Sequence, residues 1–179
     1  YEELMSYSGK IIFTLEHNDK MEFKEEIEIK FKKPNKYYAV HQIKGRNFKR
    51  ISNGVKTYVL KNEKVIIQDT DKGVDSRYFY FNYQIDDLKE DVIDFTEVGK
   101  EIVAEREAIV YKFKYTEEDP YHKIWIDKET KLPLKRESNY NNGDRMISKF
   151  ITVDFNDNID DSIFEYTPKK DETVEDMTI

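Results

Sequence analysis

Met21-Glu22-Phe23-Lys24-Glu25-Glu26-Ile27-Glu28-Ile29-Lys30-Phe31-Lys32 decides how this chain folds. The odd positions read Met, Phe, Glu, Ile, Ile, Phe, and the even positions are all Glu or Lys. Side chains on a strand alternate between two faces, so the segment is a long strand with one apolar and one charged side. Glu and Lys are good helix formers. A helix, however, would space its apolar residues by three and four, and here they recur every two. Glu25 breaks the apolar side and is expected at a sheet end, a bulge or an opening to water.

The same rhythm extends outward. Residues 7–17 alternate, and His17-Asn18-Asp19-Lys20 reads as the turn between two antiparallel strands. Lys33-Pro34-Asn35-Lys36 is a second turn, followed by strands over 37–44 and 47–52. Asn53-Gly54 is the strongest hairpin signal, with both positions expected at positive φ in a type I′ turn. Residues 56–60 and 65–68 continue the meander. Tyr78, Phe81, Ile85, Leu88 and Val92 then fall on a helical stripe, predicting one helix over 76–89 capped by Asp75 or Ser76. Strands resume over 101–106, 108–116, 122–127, 134–140 and 145–155, with a strong turn at Asn141-Asn142-Gly143-Asp144 and a loop over 157–164. The expected fold is mainly β with minor α. It is a curved antiparallel half-barrel sheet of about ten or eleven strands, with one or more helices across its concave face.

A chain of 179 residues reads as one domain, over 1–168, with a polar end at 169–179 that is expected to fray. The apolar material is carried by large rings, 11 Phe and 13 Tyr, which suits strands better than Leu- and Ala-rich helices. The absence of cysteine excludes a disulfide framework and a thiolate metal site. A net charge of -7 argues against nucleic acid, whose phosphates want a basic face. No segment approaches the roughly 20 apolar residues that a membrane-spanning helix needs. The chain begins at Tyr1, and a targeting segment is expected to have been trimmed ahead of it.

Residues able to carry chemistry are few. His17, His41 and His122 share no metal-ligand spacing and are expected to be unrelated strand or surface histidines. No nucleophile elbow, phosphate loop or dinucleotide fingerprint occurs. Neither catalytic residues, nor a cofactor, nor a metal is expected. Asp154, Asn156, Asn158, Asp160, Ser162 and Glu165 match the ligand positions of a calcium hand, but the turn position is Ile159 and the segment before it alternates like a strand. That stretch reads as a solvated acidic loop. The candidates for a binding role are aromatic. Phe79 and Tyr83 lie off the helical stripe. Trp125, the only tryptophan, points outward if Ile124 and Ile126 point inward, or is packed under the helix or a terminal segment.

Four pieces of the chain resemble a known family. They are Lys33-Pro34-Asn35-Lys36-Tyr37, the hairpin over 51–58, Ile124-Trp125-Ile126-Asp127-Lys128-Glu129-Thr130-Lys131-Leu132-Pro133-Leu134, and residues 151–155 with 158–164. Together these resemble the LolA/LolB-type carrier superfamily of lipoprotein sorting, over about residues 9–168. The Lys-, Glu-, Asn- and Tyr-rich composition points to an AT-rich, low-GC source, and among such proteins the chain most resembles the clostridial germination lipoproteins. The resemblance implies an exported, lipid-anchored, non-enzymatic protein of the spore envelope that binds and activates a zinc-dependent N-acetylmuramoyl-L-alanine amidase of the cortex. The lipidated Cys of such proteins would stand ahead of Tyr1.

Two functions follow as expectations. One is partner binding through edge strands and outward aromatics, with a strand-exchanged homodimer also open to so many hairpins. The alternative is an envelope carrier holding acyl chains in a cavity walled by residues such as Phe13, Phe23, Ile27 and Phe31.

Overall fold

The structure is a computed structural model and describes residues 5–70, 77–78, 85–156 and 158–178. The described residues form twelve strands: β1 Ser6–His17, β2 Lys20–Lys32, β3 Lys36–Ile43, β4 Arg46–Asn53, β5 Lys56–Lys61, β6 Lys64–Asp69, β7 Asp94–Val103, β8 Arg106–Lys114, β9 His122–Asp127, β10 Pro133–Asn139, β11 Asp144–Phe155 and β12 Thr173–Asp176. A single α-helix is described, α1 Ile85–Asp91, and a 3-10 turn spans Asp161–Phe164. The strands hydrogen-bond in the order β12-β6-β5-β4-β3-β2-β1-β11-β10-β9-β8-β7, so β7 and β12 are the edges.

The chain divides into two compact units. One is built on Ile11–Lys24 and Arg77–Thr152, the other on Glu2–Lys10, Glu25–Ser76 and Val153–Ile179. Strands β1, β2 and β11 each contribute to both.

In the second unit, the β2 stripe does what its rhythm demands. Ile27, Ile29 and Phe31 are buried, and β3 sets His41, Ala39 and Tyr37 opposite them. A one-residue slip would expose all three apolar side chains and bury lysines and glutamates. Since each such burial contributes about 1.5–3 kcal/mol, the register is strongly fixed. The reverse face carries Ile51, Val65 and Ile67, also buried. The 3-10 turn lies by β3 and β4, and Phe164 within it has no exposed surface. The segment read as a solvated loop thus supplies a core residue. Its end is tied down as well. β12 pairs parallel with β6, Thr173 facing Lys64 and Asp176 facing Ile67. The expectation that 169–179 frays is corrected there: the backbone of a polar strand finds its partners in an otherwise open edge.

In the first unit, Leu88 of α1 packs with Ile85 and Val92 on Phe113, Ile124 and Ile126. Leu88, Ile85 and Val92 belong to the stripe read from the sequence. The predicted start of the helix lies outside the described residues, and α1 as described begins at Ile85.

Two local expectations are corrected. Asn53 does not adopt positive φ, and only Gly54 does (φ 93). The Asn53 carboxamide instead accepts from the N–H groups of Val55 and Lys56 at 3.0 and 2.9 Å, an Asx turn. Two-residue loops with both residues at positive φ occur at Asn18-Asp19, Lys44-Gly45 and Ala104-Glu105. The last of these moves a strand. The sequence predicts it over 101–106, but β7 begins at Asp94 and ends at Val103.

Candidate binding surfaces

Glu25 is neither at an edge nor open to water. It has 0% exposure, and its Oε1 lies 2.6 Å from Nδ1 of His41, itself 0% exposed. The β2–β3 register places Ile27 opposite His41, so Glu25 sits one position diagonal to it on the same face. Phe48 stacks on the imidazole with centroids 4.2 Å apart. A buried carboxylate is tolerable because a hydrogen-bonded partner offsets its lost hydration. The same side of the sheet holds a hydroxyl network: Tyr37 with Thr57 at 3.3 Å and Ser52 with Thr70 at 3.1 Å, all buried. The histidines are therefore not alike. His41 is core, His17 hydrogen-bonds Asp144 at 2.8 Å in a surface turn, and His122 is nearly buried.

Trp125 does lie on the face opposite Ile124 and Ile126, yet it is only 2% exposed. Its Nε1–H donates to Glu101 Oε2 at 2.7 Å, and the Lys135 ammonium rests 3.8 Å from the ring. Burial lowers the Lys135 pKa, with Glu137 and Glu101 opposing. The outward reading of Trp125 is thus corrected: β10 places Lys135 directly across from it, and the long aliphatic stem covers the indole. Phe79 and Tyr83 lie outside the described residues.

Exposed apolar side chains occur along the edge strand β7. Residues 96–102 of β7 are all exposed, Val98 at 50% and Ile102 at 69%, with Ile93 beside them at 54%. Among the described residues, no strand pairs with the outer side of β7. Val98 is an extra residue in the β7–β8 ladder, and Gly99 supplies the positive φ (151) the bulge takes. A side chain at Gly99 would meet open space, so the backbone alone sets that choice.

A model of the MucB/RseB N-terminal domain matches residues 5–167. The chain belongs to that family. Its strand meander carries the fold of solved relatives at low identity. MucB in complex with MucA(peri) is 18% identical with a TM-score of 0.52, over 91% of this chain and 54% of that one. An uncharacterized conserved protein from Thermus thermophilus is 10% identical with a TM-score of 0.63, over 97% and 91%. The Mycobacterium tuberculosis lipoprotein LppX is 11% identical with a TM-score of 0.57, over 89% and 90%. The chain spans about half the length of the MucB structure. No curated protein matches it.

For this MucB/RseB-type domain the remaining polar clusters are structural. A hollow of about 290 Å³ is lined by Glu105, Arg106, Glu107, Asp127, Lys128 and Glu129. Its charges answer one another: Arg106 donates to Asp127 at 2.6 and 3.2 Å and to Glu129 at 2.8 Å, and Lys128 pairs with Glu107 at 2.7 Å. The residues at calcium-like spacing also go separate ways. Asp160 caps the 3-10 turn by accepting from Ser162 N–H, and Asn156 accepts from Met5 N–H. Among the described residues, no group of three or more His, Asp or Glu side chains is arranged to hold a metal ion. No described helix is long and apolar enough to cross a membrane.

Proposed function

We propose that this domain is a non-enzymatic binding protein of the cell envelope that engages a partner protein through the open edge strand β7. One observation carries the reading: seven consecutive exposed residues on an edge strand, with Val98 and Ile102 among them. An unpaired edge offers backbone donors and acceptors to an added strand, and exposed apolar side chains give that strand something to bury. Within the family, MucB is known in complex with MucA(peri), which supports partner binding as the kind of function to test.

The finer identity follows the sequence resemblance to the clostridial germination lipoprotein GerS. On that reading the protein is exported, held to a membrane by lipid, and switches on a zinc-dependent N-acetylmuramoyl-L-alanine amidase of the spore cortex. Phe79 and Tyr83 stay candidate contacts, whereas Trp125 has almost no surface to offer. The β7 edge would equally accept a second copy of the chain, which light scattering detects as a doubled mass. Carriage of acyl chains has less to recommend it, since the cavity-wall candidates Ile27 and Phe31 have no exposed surface and a polar pair shares their face.

The test is binding of the purified amidase to the wild-type domain and to a Val98→Lys/Ile102→Lys variant. Both positions are exposed, so the variant should melt like wild type while losing at least tenfold in affinity, about 1.4 kcal/mol. Unchanged affinity removes β7 as the contact. A wild type that does not bind removes the amidase as partner.

A further inference from the structure

The edge strand β12 is short and polar. It reads Thr173-Val174-Glu175-Asp176, and none of its four side chains is buried, Val174 being 45% exposed. The strand it covers is different in kind. β6 holds Val65 at 0% and Ile67 at 8% exposure. The two run parallel, with Val174 beside Val65 and Asp176 beside Ile67. Main-chain bonds carry much of the attachment: the N–H groups of Thr173 and Met177 donate to the carbonyls of Glu63 and Ile67, each at 2.8 Å. A segment that buries little apolar surface and is held by exposed hydrogen bonds opens locally, at far less cost than global unfolding. When β12 lifts, β6 keeps its place, because its apolar side chains are buried and β5 pairs with its other side. What is left is an ordered edge with main-chain donors and acceptors ready for an extended segment.

The charges of β12 match those of the edge it covers. The Glu175 carboxylate pairs with the Lys64 ammonium. Lys64 stands directly across from Lys61 of β5, a like-charge pair that a carboxylate relieves. Asp176 has its pKa lowered first by the N–H and hydroxyl of Thr178, and further by Lys56 of β5. Asp69 also faces Lys56, so Lys64 is the stronger reader of charge on this edge. Glu172, just ahead of β12, accepts from the hydroxyl of Tyr166, whose ring lies against Tyr58 of β5.

We propose that β12 is a built-in stand-in for a ligand, and that the β6 edge is a docking surface which takes, in its place and parallel to β6, an acidic extended segment of a partner protein. The surface involves a different strand from β7 and does not depend on the partner reading given for that one.

The probe is a labelled peptide of residues 171–178, Asp-Glu-Thr-Val-Glu-Asp-Met-Thr, and the host is the whole chain carrying Glu175→Pro. The N–H groups of residues 173 and 177 both face β6, so the one at 175 does too, and proline removes it together with the Lys64 pair. Because the position is exposed, the variant should melt as wild type does while amides of β6 exchange faster. The peptide should restore their protection and bind the variant at least tenfold more tightly than wild type, whose own tethered β12 competes. A peptide with lysine at the Glu175 and Asp176 positions should bind at least tenfold more weakly. Hydrogen exchange of the wild-type chain keeps the test open if the variant fails to fold: the Thr173 and Met177 N–H groups should exchange about a hundredfold faster than those of β3. The proposal falls if the acidic peptide binds the variant no more tightly than wild type, if the lysine peptide binds as well, or if Thr173 and Met177 are as protected as β3. It falls also if the variant doubles its mass in light scattering, which would give the edge to a second copy.

Discussion

His41 Nδ1 and Glu25 Oε1 lie 2.6 Å apart with neither side chain exposed, which makes them one buried unit shared by β2 and β3. Removing one partner takes from the other a short hydrogen bond that offsets its lost hydration in a buried site. His41→Ala should therefore cost about 3–5 kcal/mol. The double replacement Glu25→Leu/His41→Leu should cost far less than the sum of the single changes, because neither residue is then left stranded. Urea unfolding of the four proteins measures the coupling. Additive losses would mean that the pair does not act as a unit.

His17 and Asp144 form the opposite kind of link, a surface one, at 2.8 Å. The hydrogen bond to Asp144 raises the His17 pKa above 6.5, with burial opposing, and the same bond lowers Asp144 below 3.8. A raised histidine stabilises fully below its unfolded value and loses that effect as pH rises through the folded one. A lowered aspartate stabilises above its unfolded value and loses the effect as pH falls through the folded one. The link is thus strongest between about pH 4 and 6.5. Melting temperature measured from pH 4 to 8 should show a contribution in that window, and Asp144→Asn should flatten it.

Phe164 has no exposed surface although the segment around it is polar. Phe164→Ala should cost about 3–5 kcal/mol. The Tyr166 hydroxyl, which donates to both Glu172 oxygens at 2.6 and 2.7 Å, should not hold the segment without it. Hydrogen exchange should then accelerate at Thr173 and Met177, whose N–H groups bond Glu63 and Ile67. Protection unchanged there would show that β12 is held independently.

Trp125 reports directly on the first unit, since it is the only tryptophan and is 2% exposed. Its fluorescence should be blue-shifted relative to the unfolded chain and poorly quenched by acrylamide. Lys135→Ala removes the stem over the ring. It should increase acrylamide quenching without abolishing folding. A wild-type tryptophan quenched as readily as the unfolded one would contradict the burial.

Alternation is readable wherever one face of a strand is buried and the other wet, as in β2. It fails at β7, because an edge strand exposed on both faces has no reason to alternate, and because Ala104-Glu105 carries none of the usual turn residues. Among the site residues, alternation puts Trp125 on the correct face but with the wrong exposure. A residue one strand away, Lys135, covers it, and nothing local to Trp125 records that.

By itself, the order of side chains determined a mainly β meander, the apolar and charged faces of its central strands and the stripe of its helix, because each depends on neighbours two to four positions away. Only the tertiary structure decided that Glu25 has a histidine, that residues 173–176 supply β12, and that β7 ends the sheet among the described residues. Those are meetings of residues distant in the chain, and hydrophobic periodicity carries no record of which strands lie side by side.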